Sequence, residues 1–226
     1  MEHQGTEQEI LQEWLKGREI IYRLLARLYR ESPGQDVIKA LLAEDTLAQL
    51  AQGEANEESR RGCQMMDEEL KSQKENLKAF EAKLRQDFTR LFVGPGGIKA
   101  PPWESVYRSR ERLLFGEETL AVRKFYQSFG VSIKNLYREP DDHLSLELEF
   151  MSWLCARALE ELPRGEWKLY LEGQKRFLRE HLLEWVPAFT KDMENNAETA
   201  FFRGLASFTR GFLLQDLEEV QAVLDA

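Results

Sequence analysis

The chain has 226 residues, 42 % of them hydrophobic, enough to bury one large core without a disulfide or a metal. Its 40 acidic and 31 basic side chains leave a net charge of −9, which repels nucleic-acid backbones and anionic lipid surfaces and attracts cationic peptides. Two cysteines, Cys63 and Cys155, supply neither a disulfide framework nor a zinc site and suit a reducing compartment. The acidic, polar start Met1-Glu-His-Gln-Gly-Thr-Glu-Gln-Glu9 lacks a signal-peptide pattern, and no run approaches the roughly 18 apolar residues of a membrane span. The expectation is a cytoplasmic protein with no stable membrane insertion and no nucleic-acid partner.

From the N-terminus, Ile10, Leu11, Trp14, Ile21, Leu24, Leu25 and Leu28 recur at three- and four-residue steps, predicting an amphipathic helix over 7–30 that Ser32-Pro-Gly34 ends. Val37, Leu41, Leu42 and Leu50 predict a second helix, before a polar break at 53–59. Met65, Met66 and Leu70 lead into Leu77, Phe80, Leu84, Phe88, Leu91 and Phe92, a helical repeat stopped by Gly94-Pro-Gly-Gly97. Three glycines and three prolines between Gly94 and Trp103 make that stretch a loop. A helix over 119–129 ends at Gly130, a natural left-handed cap, and a second long connection covers 131–141. Further helices are expected over 142–162, over 165–185 with an interruption at Pro187, and as one or two segments from Ala197 to Leu224. No segment alternates with period two. The expectation is all-α: a single-domain bundle over residues 1–226, of roughly nine to eleven helices, with long loops at about 93–105 and 131–141.

The helix after Asp142 is apolar nearly all round. Leu144, Leu148, Met151, Cys155 and Leu159 form one stripe, and Leu146, Phe150, Trp153 and Leu154 fill most of the rest, as in a buried central helix. Ser145, Glu149, Ser152 and Ala156 form a third stripe of mostly small residues that admits a neighbouring helix closely. Glu149 within it is paired, turned to an edge, or neutralised by burial. At the helix head, Asp141 or Asp142 is suited to accept hydrogen bonds from the first-turn amides, with Pro140 fixing the entry. Capping leaves over Glu139, a second aspartate and His143, with no basic side chain between 139 and 156. Such surplus acidity beside Trp103 suits a ligand that joins positive charge to apolar groups.

Catalytic patterns fail in turn. Paired Glu-x-x-His motifs are missing, since Pro140 precedes His143 and Leu178 precedes His181 at the required spacing, and no His-Glu-x-x-His occurs. Gly94-Pro-Gly-Gly-Ile-Lys99 lacks the phosphate-loop spacing, and no Gly-x-Ser-x-Gly elbow exists. No metal, cofactor or catalytic residue is expected.

Four blocks resemble a known family: Asp87-Phe-Thr-Arg-Leu-Phe-Val-Gly-Pro-Gly96, Pro101-Pro-Trp-Glu-Ser-Val-Tyr107, Glu139-Pro-Asp-Asp-His143 with Leu146-Glu-Leu-Glu-Phe-Met151, and Phe177-Leu-Arg-Glu-His-Leu182 with Trp185. Together they are similar to the TorD-type chaperones of redox-enzyme maturation, which serve molybdenum-cofactor enzymes exported by the twin-arginine route. The resemblance implies an all-helical, non-enzymatic chaperone. It would bind the twin-arginine signal peptide and apo-form of a molybdopterin oxidoreductase catalytic subunit, as a monomer or a swapped homo-oligomer. It also implies, by motif, binding positions at Leu91, Phe92, Gly94, Pro102, Trp103, Ser105, Pro140, Asp142 and His143. Glu139, Asp141 and Asp142 are placed to pair the peptide's arginines, and Phe92, Trp103 and Tyr107 to supply apolar surface. Phe92, Tyr107 and His143 each have an ordinary packing or hydrogen-bonding alternative, and His181 and Trp185 are expected to pack between helices. Loss of the Asp142 or Trp103 side chain is expected to weaken binding and leave stability near wild type. Two other functions fit the residues: a chaperone for a non-exported, nitrate-reductase-like subunit, and, more distantly, a small helical hydrolase using His143.

Overall fold

The helical periodicity becomes a bundle in a computed structural model that describes residues 2–43, 46–52, 56–109, 114–132 and 140–226. In chain order the helices are α1 (Glu2–Arg30), α2 (Gln35–Ala43), α3 (Thr46–Gln52), α4 (Glu57–Ser72), α5 (Leu77–Phe88), α6 (Glu104–Arg108), α7 (Glu117–Ser128), α8 (Leu144–Glu161), α9 (Trp167–Phe177), α10 (Leu183–Asn196) and α11 (Ala200–Asp225). The last turns of α5 and α9 widen into π-turns over Thr89–Val93 and Leu178–Leu182. Among the described residues the sole strand-like pairing is an isolated antiparallel bridge between Trp103 and His143.

Two helix pairs carry most of the packing, α4 against α11 and α1 against α8. Glycines make the first pair possible: a Cβ on Gly204 would lie 2.6 Å from the Gly62 carbonyl oxygen, and one on Gly62 would lie 2.5 Å from that of Gly204. Backbones this close exclude any larger residue at either position. The second pair uses the small stripe of α8, where Ser152 Oγ donates to the Glu19 carbonyl at 3.3 Å. Polar ties then fix register. Buried Asp216 on α11 accepts from Arg18 Nη2 at 2.8 Å and Tyr22 Oη at 2.5 Å on α1. Asp87 on α5 accepts from the Thr199 amide and hydroxyl, both at 2.8 Å, and Thr199 in turn caps α11.

Helix boundaries differ from expectation where tertiary packing overrides local signals. The helix expected over 37–50 is two, α2 and α3. The repeat from Met65 to Phe92 is divided into α4 and α5 by a short 3-10 turn over Lys74–Asn76, because Asn76 caps α5 through its side chain to the Ala79 amide. Pro187 does not break α10: buried Trp185, Val186 and Phe189 hold its first turns in the core. The C-terminal segment is one unbroken helix. As expected, α8 is the central helix, with Leu144, Leu148, Met151, Leu154, Cys155 and Ala158 fully buried, and Gly130 takes the left-handed conformation after α7 (φ +74°).

Candidate functional site

The two long connections meet at the head of α8. The Trp103–His143 bridge is closed by the Glu104 amide donating to the Asp142 carbonyl (3.1 Å) and the Leu144 amide donating to the Pro102 carbonyl (2.9 Å). Behind it, the glycine-rich loop folds back on α5, with the Ala100 amide on the Leu91 carbonyl (2.9 Å) and Gly94, at φ +79°, donating to Thr89 (2.8 Å). Half-buried Trp103 stands edge-on to the His143 ring, their centroids 5.4 Å apart.

The two aspartates of the acidic turn are buried and tied into the fold. Asp141 and Asp142 are 1 % and 0 % exposed. Asp142 accepts from the Ser105 amide and the Thr119 hydroxyl, each at 2.8 Å, so it caps α6 from across the seam. Asp141 pairs with Arg123 of α7, and its carbonyl takes the Tyr126 hydroxyl at 3.1 Å. The expectation that an aspartate caps α8 is therefore corrected: His143 holds that position, its Nδ1 accepting from the Ser145 amide at 3.1 Å. Acceptance at Nδ1 places the neutral ring's proton on Nε2. Burial, helped by the nearby Arg30 charge, lowers the His143 pKa to about 4, so the ring is neutral near pH 7. Of the expected surplus acidity, Asp141 finds a counter-ion in Arg123 of a different helix.

Beneath the seam lies a second acidic cluster. Glu104 and Glu147 are both 0 % exposed. Glu104 meets His181 Nδ1 at 3.0 Å and pairs with Arg108. Glu147 accepts from Trp185 Nε1 at 3.1 Å. Burial first, then the neighbouring charges of Glu104 and Asp142, push the Glu147 carboxyl well above its usual range, so it is held neutral beside Glu104. The acid fully buried in α8 is thus Glu147 and not Glu149, whose exposed carboxylate pairs with Arg30 at 2.5 Å.

The structure brings Pro102, Trp103 and Ser105 onto Pro140, Asp141, Asp142 and His143. It places Leu91 and Phe92 in the core, Phe92 within an aromatic group of Tyr29, Phe88, Phe189 and Phe202. Tyr107 is half-buried against Trp185, its hydroxyl on Asp192 at 3.2 Å. Glu139 lies outside the described residues. His181 and Trp185 pack between helices as expected. Sequence reasoning missed Glu104, Glu147, Thr119 and Arg123. Glu147 had a signal, since it shares a helix face with Leu144, Met151 and Leu154. Among the described residues no group of three or more His, Cys, Asp or Glu side chains is arranged to hold a metal ion, and no helix is long and apolar enough to cross a membrane.

A model of the nitrate reductase delta subunit family matches residues 52–191, and the chain belongs to that family. The match includes both loops, α6 to α9 and most of α10. The chain is 31 % identical over 135 residues to the Tat proofreading chaperone DmsD of Salmonella typhi, covering 60 % of this chain and 61 % of that protein. It thus spans about three fifths of that relative's length. It is 29 % identical over 202 residues to the chaperone protein TorD of Vibrio cholerae, covering 89 % and 90 % of the two chains. A crystal structure assigned to a redox enzyme maturation protein of Archaeoglobus fulgidus aligns with TM-score 0.46 and 21 % identity over 87 % of this chain and 93 % of that one. The named relatives are chaperones.

Proposed function

We propose that the protein is a cytoplasmic chaperone of redox-enzyme maturation that binds the twin-arginine signal peptide of an exported molybdopterin oxidoreductase subunit before its cofactor is inserted. The observation that carries this reading is the seam itself: Trp103 and His143, from two connections some forty residues apart, share one bridge inside the family-matched region. Half-buried Trp103 offers an aromatic face, the seam's neutral His143 a ring donor, and the net charge of −9 a favourable field for a basic peptide. The names of the DmsD and TorD relatives point the same way. Asp141 and Asp142 are buried and shape the seam.

The experiment is retention of a carrier protein fused to a twin-arginine leader by the immobilised chaperone. Wild type retains the fusion and releases the carrier alone, and Trp103→Ala retains less. Equal retention of fusion and carrier would overturn the proposal. The family's description also favours a second client, a non-exported nitrate-reductase-like subunit. Retention of such a subunit's N-terminal segment, with no retention of leaders, would select it.

A further inference from the structure

Asp141 and Asp142 are buried in the seam, and an arginine-bearing peptide is best met by an exposed carboxylate. One exposed carboxylate stands on the outward face of α8, a turn and a half beyond His143: Glu149. It already holds one guanidinium, that of Arg30 at the end of α1, at 2.5 Å and with both side chains about half exposed. On its other side opens a cavity of about 480 Å³, walled by Tyr126, Val131, Leu146, Phe150 and Trp153. Ser132 completes the lining, so Glu149 is the cavity's only charged residue among the described residues. A volume of this size holds a large side chain with its neighbours.

We infer that this cavity is where an arginine of the client peptide docks, its guanidinium on Glu149 and its apolar neighbours against Leu146 and Val131. The inference rests on the peptide-binding reading above and names the residue that selects the charge. Charge complementarity commits the occupant. A carboxylate at the edge of an aromatic cavity suits a cation that is weakly hydrated and planar, because guanidinium stacks on Trp and pairs bidentately with carboxylate, whereas ammonium does neither as well. A purely apolar occupant would bury Glu149 unpaired once Arg30 turned away. Arg30 therefore acts as a resident placeholder that the peptide's arginine displaces or joins. Glu149 follows His143 by six residues on α8, so cavity and seam are built on one helix.

The test is fluorescence titration of the full chain with a synthetic leader carrying two consecutive arginines and an apolar run, alongside versions with both arginines replaced by lysine or by glutamine. Glu149→Gln should weaken binding of the arginine peptide roughly tenfold or more, the usual worth of a charge-assisted pair, and leave the glutamine peptide unaffected. Arg30→Ala should tighten the arginine peptide by removing the competitor. Thermal melts of both variants should match wild type, since both side chains are exposed. If wild type binds the arginine peptide and Glu149→Gln binds it equally well, the cavity assignment is overturned while the peptide-binding reading stands. If wild type binds no leader at all, the reading itself falls and takes the cavity with it.

Discussion

Glu147→Gln isolates the neutral carboxyl beneath the seam. In wild type this group is wholly buried, accepts from Trp185 Nε1 at 3.1 Å and lies beside Glu104 and Asp142. Glutamine keeps the shape, the acceptor for Trp185 and a donor for Glu104, and removes only the titration. The sign follows from linkage. The folded-state pKa is raised above the unfolded value of about 4.5, so the fold holds a proton that the unfolded chain releases. The stability Glu147 contributes is complete below that value and declines as pH rises, by about 1.4 kcal/mol per pH unit while the folded carboxyl stays protonated. Relative to wild type, Glu147→Gln should therefore gain stability as pH rises above 5, at about 1.4 kcal/mol per pH unit for as long as the folded wild-type carboxyl stays protonated. For a chain of this size, each such unit corresponds to a few degrees in Tm. Urea denaturation of both proteins at half-unit steps from pH 5 to pH 7.5 measures the difference directly. Glu147→Leu, which leaves Trp185 Nε1 without its acceptor, should be less stable than Glu147→Gln at every pH. A difference between wild type and Glu147→Gln that stays constant across the range would show that Glu147 is ionised in the fold and refute the reasoning.

Two further substitutions test the seam. Asp142→Ala strands the buried Ser105 amide and Thr119 hydroxyl at about 1–3 kcal/mol each, so it should lower the denaturation midpoint markedly, contrary to the expectation from sequence that stability would stay near wild type; a midpoint unchanged within error would contradict the capping geometry. His143→Asn keeps a good capping residue for α8 and removes the ring. Because the ring's folded pKa of about 4 lies below the ordinary 6.5, its contribution is present above pH 6.5 and fades as pH falls toward 4. The variant's stability should accordingly fall less than wild type's over that interval, by about 3 kcal/mol in total, and parallel acid limbs would argue against a neutral buried imidazole.

How far the fold was legible follows from what each signal encodes. Three- and four-residue spacing reports a helix and its buried face, so α1, α8 and the glycine-proline loop were visible in the chain, as was the small stripe on which α1 packs. Boundaries set by remote packing were not: nothing local to Pro187 says that Trp185 and Phe189 will hold α10 straight, and nothing near 140–143 says that Thr119 and Arg123 will satisfy the two aspartates. The site was half legible for the same reason. Trp103 and His143 could be paired through the resemblance, while the partners of Asp141, Asp142 and Glu104 come from helices 18 to 77 residues away. Glu149 and Glu147 differ by two positions on one helix, about 200° on a wheel, and that rotation alone decides which is exposed and which is buried.

Calorimetric titration of the wild-type protein with leader peptides from candidate client enzymes tests the central claim most directly. The account predicts saturable binding of at least one twin-arginine leader, weakening as salt screens the acidic surface and lost when the apolar run is replaced by serine and glycine. Absence of binding by every leader, at low salt and with a protein whose melt shows it to be folded, would contradict it.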